Sequence, residues 1–395
     1  MSLCFCRGTG NGKGGEPQGC AALAACAPVF DTVKAAMHKL RKAAYTSILL
    51  SCAVFALAQA PATSGFIFEP VSSGHALAAT PPSSHASTLV ELKNGDLLAA
   101  WFTGAHEGSS DVTIHGARFT GGRWTAPFEL ARASNVPCWN PVLFHSTDGR
   151  LWLYYKFGKS PDTWAGARKF SDDEGRTWSV EEHLPKGILG PIKDKPLVLG
   201  DGVIVSGSSV EHGDWTVWIE RSVDNGQTWT KTGPIKLPKK IDVPAQVTPS
   251  RAKTVGIIQP TIVKVDGQHL RFYARSKSRA SRIAAADSFD AGKTWSEPHF
   301  LDLPNPNSGI DAVRLGDGRI VLIFNNSYTA RTPLNLAVSR DGEHFTVFKT
   351  LEDTPGEYSY PAIIQAADGD LLMTYTWHRE TIKLVRVPLS AVPQS

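Results

Sequence analysis

From residue 61 to the C-terminus the sequence holds one cysteine, Cys138, so no disulfide can form within that stretch. It has no His-Glu-x-x-His pair of the kind that binds zinc and no phosphate-binding P-loop. Its glycines fall in turns between apolar runs rather than between a strand and a helix, which speaks against a dinucleotide fold. Excess charge is missing as well. Residues 1–60 carry six Lys/Arg against Glu16 and Asp31, which accounts for the whole formal charge of +4, so residues 61–395 sum to about zero and offer no general polyanion-binding surface. After residue 60 no apolar run approaches the roughly 20 residues that span a bilayer as a helix. These absences leave an ordinary globular chain, and the 42% hydrophobic and 20% charged residues agree with that class. No cofactor or metal is implied.

The first 60 residues read differently. They hold Cys4, Cys6, Cys20, Cys26 and Cys52, and the spacing of the first four fits no standard zinc pattern. From Met37 a cationic start (His38, Lys39, Arg41, Lys42) leads into an apolar stretch from Ser47 to Ala58 and the small-x-small sequence Ala58-Gln59-Ala60. That order reads as a secretory signal peptide, expected to be cleaved after Ala60. Cys52 after Leu49-Leu50-Ser51 resembles a lipoprotein site, but further apolar residues follow it, which favours cleavage after Ala60. Residues 1–36 are therefore expected to be an extension ahead of the true start at Met37, residues 37–60 a signal peptide, and the mature protein secreted or periplasmic.

Beyond residue 83 one phrase repeats: an apolar run, Asn-Gly or Asp-Gly, and another apolar run, the strongest short-range sign of a β-hairpin. It occurs at Asn94-Gly95, Asp148-Gly149, Asp201-Gly202, Asp266-Gly267, Asp317-Gly318 and Asp368-Gly369, with the glycines 54, 53, 65, 51 and 51 residues apart. Six units of that length predict an all-β, six-bladed propeller over residues 83–390, preceded by a linker or first strand at 61–82. A second phrase, Ser-x-Asp-x-Gly-x-Thr-Trp, stands at Ser171–Trp178, Ser222–Trp229 and Ser288–Trp295. A degraded copy runs from Ser339 to Phe345, and Trp124 marks a fifth that has lost its Asp. Its job is structural: Asp accepts backbone N–H groups, Gly supplies positive φ, and Trp plugs the gap between sheets.

Ahead of each hairpin, where an inner strand starts near the axis, a polar residue precedes Pro or Ala: His85-Ala86, Asn140-Pro141, Lys195-Pro196, Gln259-Pro260, Asp311-Ala312 and Tyr360-Pro361. The six side chains are expected to converge on one pocket; the bland alternative is a set of polar plugs in a narrow channel.

The Ser-x-Asp-x-Gly-x-Thr-Trp phrase at blade spacing resembles the Asp-box (BNR repeat) of the sialidase, or neuraminidase, family. The resemblance implies a sialidase-like propeller that binds a carboxylated sugar through three arginines and cleaves it with a tyrosine nucleophile, a glutamate beside that tyrosine and an acid/base aspartate. Arg275, in Phe272-Tyr-Ala-Arg275, matches the second arginine, and Arg331, ahead of Pro-Leu-Asn-Leu336, matches the third. Asp111 stands where the acid/base is expected. The nucleophile is Tyr358 by its Tyr-Ser letters or Tyr360 by its spacing to the following turn, and the spacing is the better guide. Two positions depart from the family: His85 stands for the first arginine and Gln259 for the glutamate. Lys195, Arg282 or Arg379 could supply the third cation, and Glu357, Glu211 or Glu107 the carboxylate.

Three functions fit these residues. One is an exo-glycosidase on sialic acid or a relative. Another is a lyase on uronate polymers in which His85 or a tyrosine moves the C5 proton. The last is a non-catalytic glycan-binding propeller that kept the pocket and lost the base. The partner in each is a carbohydrate rather than a nucleic acid, and the chain is expected to act as a monomer.

Overall fold

The computed structural model describes residues 62–70, 83–239, 256–278 and 280–394. The expected extension and signal peptide, with their five cysteines, lie outside the described residues.

Strand β1 (Thr63–Phe66) precedes a first blade of β2 (Ser83–Glu91), β3 (Leu97–Gly104), β4 (Thr113–Thr120), β5 (Arg123–Trp124) and β6 (Phe128–Ala131). The second blade is β7 (Cys138–His145), β8 (Leu151–Phe157), β9 (Ala165–Ser171) and β10 (Glu182–His183). The third is β11 (Leu197–Val198), β12 (Ile204–Val210), β13 (Thr216–Ser222) and β14 (Thr230–Ile235), and the fourth β15 (Gly256–Asp266), β16 (His269–Lys277), β17 (Arg282–Ser288) and β18 (His299–Pro304). The fifth is β19 (Asp311–Arg314), β20 (Ile320–Asn325), β21 (Leu334–Ser339) and β22 (Thr346–Glu352). The sixth is β23 (Tyr358–Gln365), β24 (Leu371–Trp377) and β25 (Thr381–Val387), with β1 as its outermost strand, Thr63 facing Arg386 and Phe66 facing Lys383. Pairing the first strand with the last blade closes a six-bladed, all-β propeller.

The repeated phrases account for this architecture. The Asn-Gly and Asp-Gly turns join the first and second strands of the blades, and their glycines take the left-handed backbone the turn demands, as at Gly149 (φ +85°) and Gly369 (φ +93°). The second strands are packed on both faces, and β3 and β20 are buried at every position. Each Asp-box lies between the third and fourth strands. In the third blade Asp224 accepts Ser222 Oγ (2.7 Å), the Thr228 amide (2.9 Å) and Thr228 Oγ1 (2.6 Å). Trp229 then wedges against Tyr154 of the preceding blade, ring centroids 6.3 Å apart.

The degraded copies keep the wedge. His344 replaces the threonine on Asp341 (2.7 Å), and Phe345 stands edge-on to Tyr273 of the fourth blade. Trp124 packs into the cluster of Ala366 and Leu372 between the first and sixth blades. Cys138 is buried in the first inter-blade core, its thiol pushed up to about 12 by burial. Among the described residues no helix is long and apolar enough to cross a membrane.

Candidate active site on the propeller axis

Adjacent strands are antiparallel, so the start of a first strand, the end of the second and the start of the third meet at one end of each blade. That end collects most of the singled-out residues. His85, Asn140, Gln259 and Tyr360 lie at the starts of inner strands, whereas Asp111, Glu211, Arg331 and Arg379 lie on connections between second and third strands.

Four inner strands share one irregularity. Pairing slips by a residue between His85 and Thr88, Trp139 and Val142, Ile258 and Thr261, and Ser359 and Ala362. Inside each bulge one residue is left-handed: Ala86 (φ +57°), Asn140 (+38°), Gln259 (+54°) and Tyr360 (+50°). The proline that follows three of them has no N–H to lose from the ladder, yet a residue before proline ordinarily stays extended. Such a conformation costs on the order of 1–3 kcal/mol, and it persists where the surroundings impose it, characteristically at functional sites. This register corrects the sequence alignment, because Ala86 rather than His85 is the equivalent of Asn140, Gln259 and Tyr360.

At the centre, Tyr360 Oη accepts a hydrogen bond from Arg275 Nη1 (2.7 Å) and a longer one from Gln259 Nε2 (3.4 Å). A guanidinium can only donate, so the Gln259 atom 3.0 Å from Arg275 Nη1 is the carbonyl oxygen, which turns its NH2 toward Glu211 Oε1 at 3.1 Å. Arg275 also reaches Asn307, Nε to Oδ1 at 3.2 Å and Nη2 to the backbone O at 3.0 Å, and lies over the Trp215 indole. Gly256 runs so close to Trp215 that a Cβ would sit 2.1 Å from its carbonyl oxygen, so only glycine fits. Burial pushes the Glu211 carboxyl up, despite the opposing Arg275 charge and hydrogen bonds from Ser209 and Gln259.

Of the candidate cations, Arg379 reaches the site. Glu357 Oε1 accepts Arg331 Nη1 (2.7 Å) and Arg379 Nε (3.1 Å), and Arg379 Nη1 donates to Glu107 (2.7 Å) on the loop carrying Asp111. Burial would raise the Glu357 carboxyl, but Arg379, Arg331 and Ser359 hold it below its usual range. The Arg331 guanidinium stands 5.8 Å from the Tyr360 ring centroid. Arg282 instead pairs with Asp302 (2.9 Å), and Lys195 with Asp311 (2.8 Å).

His85 is fully buried, its ring centroid 4.2 Å from that of Tyr360. Its Nδ1 meets Thr376 Oγ1 at 2.9 Å, and its Nε2 has no partner among the described residues. Burial, reinforced by Arg379, Arg331, Arg275 and Lys193, holds the imidazole well below its ordinary pKa, so it is neutral at pH 7. The unfolded chain protonates His85 near pH 6.5 and the folded chain does not, so its contribution to stability is present above that value and is lost as pH falls through and below it. We predict that His85→Gln flattens the fall of Tm between about pH 6.5 and 5. A melting curve that falls as steeply in the variant would refute the assignment.

Asp111 is exposed, with Oδ2 accepting the Ala105 amide (3.0 Å) and Oδ1 accepting Ser109 Oγ. The Ser109 and Ala105 bonds hold it below the usual carboxylate range, so it is ionised in the free protein. To act as an acid it must be covered by substrate. Tyr358 is buried within the sixth blade, where its hydroxyl bonds Thr354 Oγ1 (2.5 Å) and His378 Nε2 (3.0 Å). That hydroxyl makes no bond to Arg275, Arg331 or Arg379, although the Tyr358 backbone N–H donates to the Arg331 carbonyl (3.0 Å).

Convergence of the axial ring is therefore partial. Asn140 brings its left-handed backbone, whereas Lys195 and Asp311 satisfy each other. Asp311 also accepts Thr261 Oγ1 (2.7 Å) and the Ile363 amide (2.9 Å), a plug between inner strands. Sequence reasoning missed Lys193, whose buried Nζ donates to the Ile310 and Pro361 carbonyls beside Tyr360. It stands two residues ahead of the polar-Pro phrase that drew attention to Lys195. Asn307, Trp215 and Thr376 carried no signal.

The profile described as BNR repeat-like domain matches residues 95–373. Among solved structures, a Hadza microbial sialidase is similar at 17% identity and TM-score 0.65, over 84% of this chain and 69% of that one. The NanB sialidase of Streptococcus pneumoniae is similar at 14% and 0.60 over 78% and 69%. The intramolecular trans-sialidase of Ruminococcus gnavus is similar at 15% and 0.59 over 79% and 96%. No curated protein matches the sequence.

Proposed function

The chain belongs to the BNR repeat-like domain family and is built on the sialidase-type propeller, and from that premise we propose that it is an exo-acting glycoside hydrolase for a sugar bearing a carboxylate, sialic acid or a relative. The observation that carries this reading is Tyr360, held left-handed in a bulge with its oxygen 2.7 Å from Arg275 Nη1. Donors preset on an oxygen stabilise negative charge developing there, which prepares a phenol to attack. In this mechanism Tyr360 Oη bonds to the anomeric carbon and gives its proton to solvent water, because Arg275 and Gln259 only donate to that oxygen. The glycosidic C–O bond breaks, and Asp111, raised toward neutrality as the substrate excludes water, protonates the leaving oxygen. Water then attacks the tyrosyl intermediate, giving its proton to Asp111, and Tyr360 leaves as a phenolate held by Arg275 and takes a proton back from solvent, the sugar being released with retained configuration. Export through the 37–60 segment would bring the enzyme to extracellular or periplasmic glycans.

One observation favours a second reading, elimination on a uronate polymer. A neutral His85 beside Tyr360, with Gln259 where a base is expected, is also a proton-transfer pair for C5.

The test is to incubate the chain beginning at Pro61 with a fluorogenic sialoside and a panel of uronate-bearing glycans, following fluorophore release and absorbance of an unsaturated product. Release without absorbance is expected. Absorbance alone would replace the hydrolase by a lyase, and silence in both, with binding retained, would leave a glycan-binding propeller.

A further inference from the structure

We infer that Lys193 is a positioning residue for the proposed nucleophile: its ammonium crosses the axis beside Tyr360 and holds the backbone of the Tyr360 bulge in place. The effect on turnover rests on the glycosidase reading above, whereas the contact itself can be tested without a substrate.

Lys193, not Lys195, is the third blade's member of the axial ring. It stands nine residues ahead of Gly202, as Asn140 stands ahead of Gly149 and Tyr360 ahead of Gly369, and it shares their left-handed backbone (φ +70°). The third blade bulges at the same place. Ile192 N–H donates to the Gly207 carbonyl (3.0 Å) and Leu197 faces Val205, so the chain from 192 to 197 is set against 205 to 207 alone. The segment ahead of Lys193 is fixed by side chains rather than by a ladder. Fully buried Glu220 accepts the Leu189 (3.1 Å) and Gly190 (2.6 Å) amides, and fully buried Lys156 donates to the Pro191 carbonyl.

From that base the Lys193 side chain reaches the fifth and sixth blades. Its Nζ donates to the Ile310 carbonyl, to the Pro361 carbonyl and to Asp194 Oδ1 (2.7 Å). Three acceptors use all three donors of an ammonium, which leaves none for a substrate and gives the group a task within the protein. The fifth blade makes room for it. Nine residues ahead of Gly318 stands Gly309, where a Cβ would lie 3.1 Å from Lys193 Cε and 3.5 Å from the Tyr360 Cα. The stem of Lys193 therefore fills the ring position that Gly309 leaves empty, directly against Tyr360.

What the ammonium holds is the peptide that the bulge leaves hardest to hold. Tyr360 is left-handed ahead of a proline, a conformation the chain does not keep unaided, and Pro361 has no N–H with which to anchor it. Its carbonyl is what remains, and a charged donor in a water-free interior makes a strong, directional bond to it. Arg275 and Gln259 thus fix the Tyr360 oxygen while Lys193 fixes its backbone. Burial keeps His85 on the other face of the ring neutral, and Lys193 is among the cations that reinforce this. The competing explanation is that Lys193 only neutralises Asp194, whose Oδ2 has no partner among the described residues.

The experiment uses the chain from Pro61 labelled with 3-fluorotyrosine and followed by 19F NMR, the Tyr360 and Tyr358 resonances being identified with the two Tyr→Phe variants. Wild type is compared with Lys193→Met and with Lys193→Met combined with Asp194→Asn. The Tyr360 resonance should be single and narrow in wild type and split or broadened in both variants, with Tyr358 unaffected. On the fluorogenic sialoside, kcat of the unlabelled variants should fall by about tenfold to a hundredfold with KM within about threefold. A Tyr360 resonance that stays single and narrow in a folded variant overturns the inference, and so does an unchanged kcat. A double variant that regains both the wild-type resonance and kcat would show that Lys193 serves only Asp194. If wild type turns over no glycoside, the resonance still decides the contact and the glycosidase reading alone fails. Should circular dichroism show Lys193→Met unfolded by its unpaired buried carboxylate, the double variant carries the test.

Discussion

Tyr360→Phe is expected to lower turnover of a cleavable acidic glycoside by roughly 10³-fold or more, with little change in KM, whereas Tyr358→Phe should leave turnover within about threefold and cost about 1 kcal/mol of stability. The two tyrosines are separated by one residue and differ in everything around the hydroxyl. Tyr358 spends its oxygen on Thr354 and His378 inside the sixth blade. Tyr360 is turned to the axis by the bulge at Ser359–Ala362, and its oxygen faces Arg275 and Gln259. Removing a hydroxyl from the first site disturbs a packed interior; removing it from the second deletes the oxygen proposed to attack the sugar. The phenylalanine ring should still stack near His85 and keep the backbone in place, so binding survives and only the chemical step is lost. Steady-state kinetics on a substrate validated with the wild type decide the matter. Full turnover in Tyr360→Phe would end the nucleophile assignment, and a large loss in Tyr358→Phe with unchanged Tm would move it there.

The fold was legible because its signals are local and repeated. Asp-Gly turns at blade spacing and Ser-x-Asp-x-Gly-x-Thr-Trp boxes each describe a few consecutive residues, and the degraded copy at Ser339 kept its wedge when Phe345 replaced Trp. The site was legible only where the family motif reached. Arg275 and Arg331 were found by their place ahead of the boxes, but nothing in the sequence tells that one is saturated by Asn307 and Gln259 and the other is not. His85 was set beside Asn140, Gln259 and Tyr360 as the polar residue before Pro or Ala, but Ala86 stands nine residues ahead of Gly95 as Asn140 and Tyr360 stand ahead of Gly149 and Gly369, so Ala86 holds the position equivalent to Tyr360 while the His85 side chain still reaches the Tyr360 ring. Lys195 and Asp311 looked like ligand-binding groups because opposite charges 116 residues apart give no hint that they will meet across the axis. Long-range pairing is the information a single sequence hides.

Arg275→Ala should be the most damaging single substitution at the site, because it acts on turnover and stability together. The residue is 5% exposed and joins Tyr360, Gln259 and Asn307 while its charge faces Glu211. Its removal leaves the carbonyl oxygens of Gln259 and Asn307 without a donor and Glu211 without its principal opposing charge. Breaking a buried ionic arrangement by deleting one partner costs about 3–5 kcal/mol, and losing the donor on the nucleophile should reduce turnover by about 10²–10³-fold. The loss of stability also carries a pH signature. Burial already raises the Glu211 carboxyl, and without Arg275 it rises further. A carboxyl whose folded value lies above the ordinary glutamate value of about 4.3 favours the folded state at low pH, and that advantage is lost as pH rises through the folded value. The gap in Tm between wild type and Arg275→Ala should therefore be narrower at pH 5 than at pH 8. Arg275→Ala combined with Glu211→Gln, which removes the unpaired charge, should close most of the gap at pH 8 without restoring turnover. A gap equal at both pH values would show that Glu211 does not sense Arg275, and recovery of turnover in the double variant would mean that Arg275 serves only to neutralise Glu211 and plays no part at Tyr360.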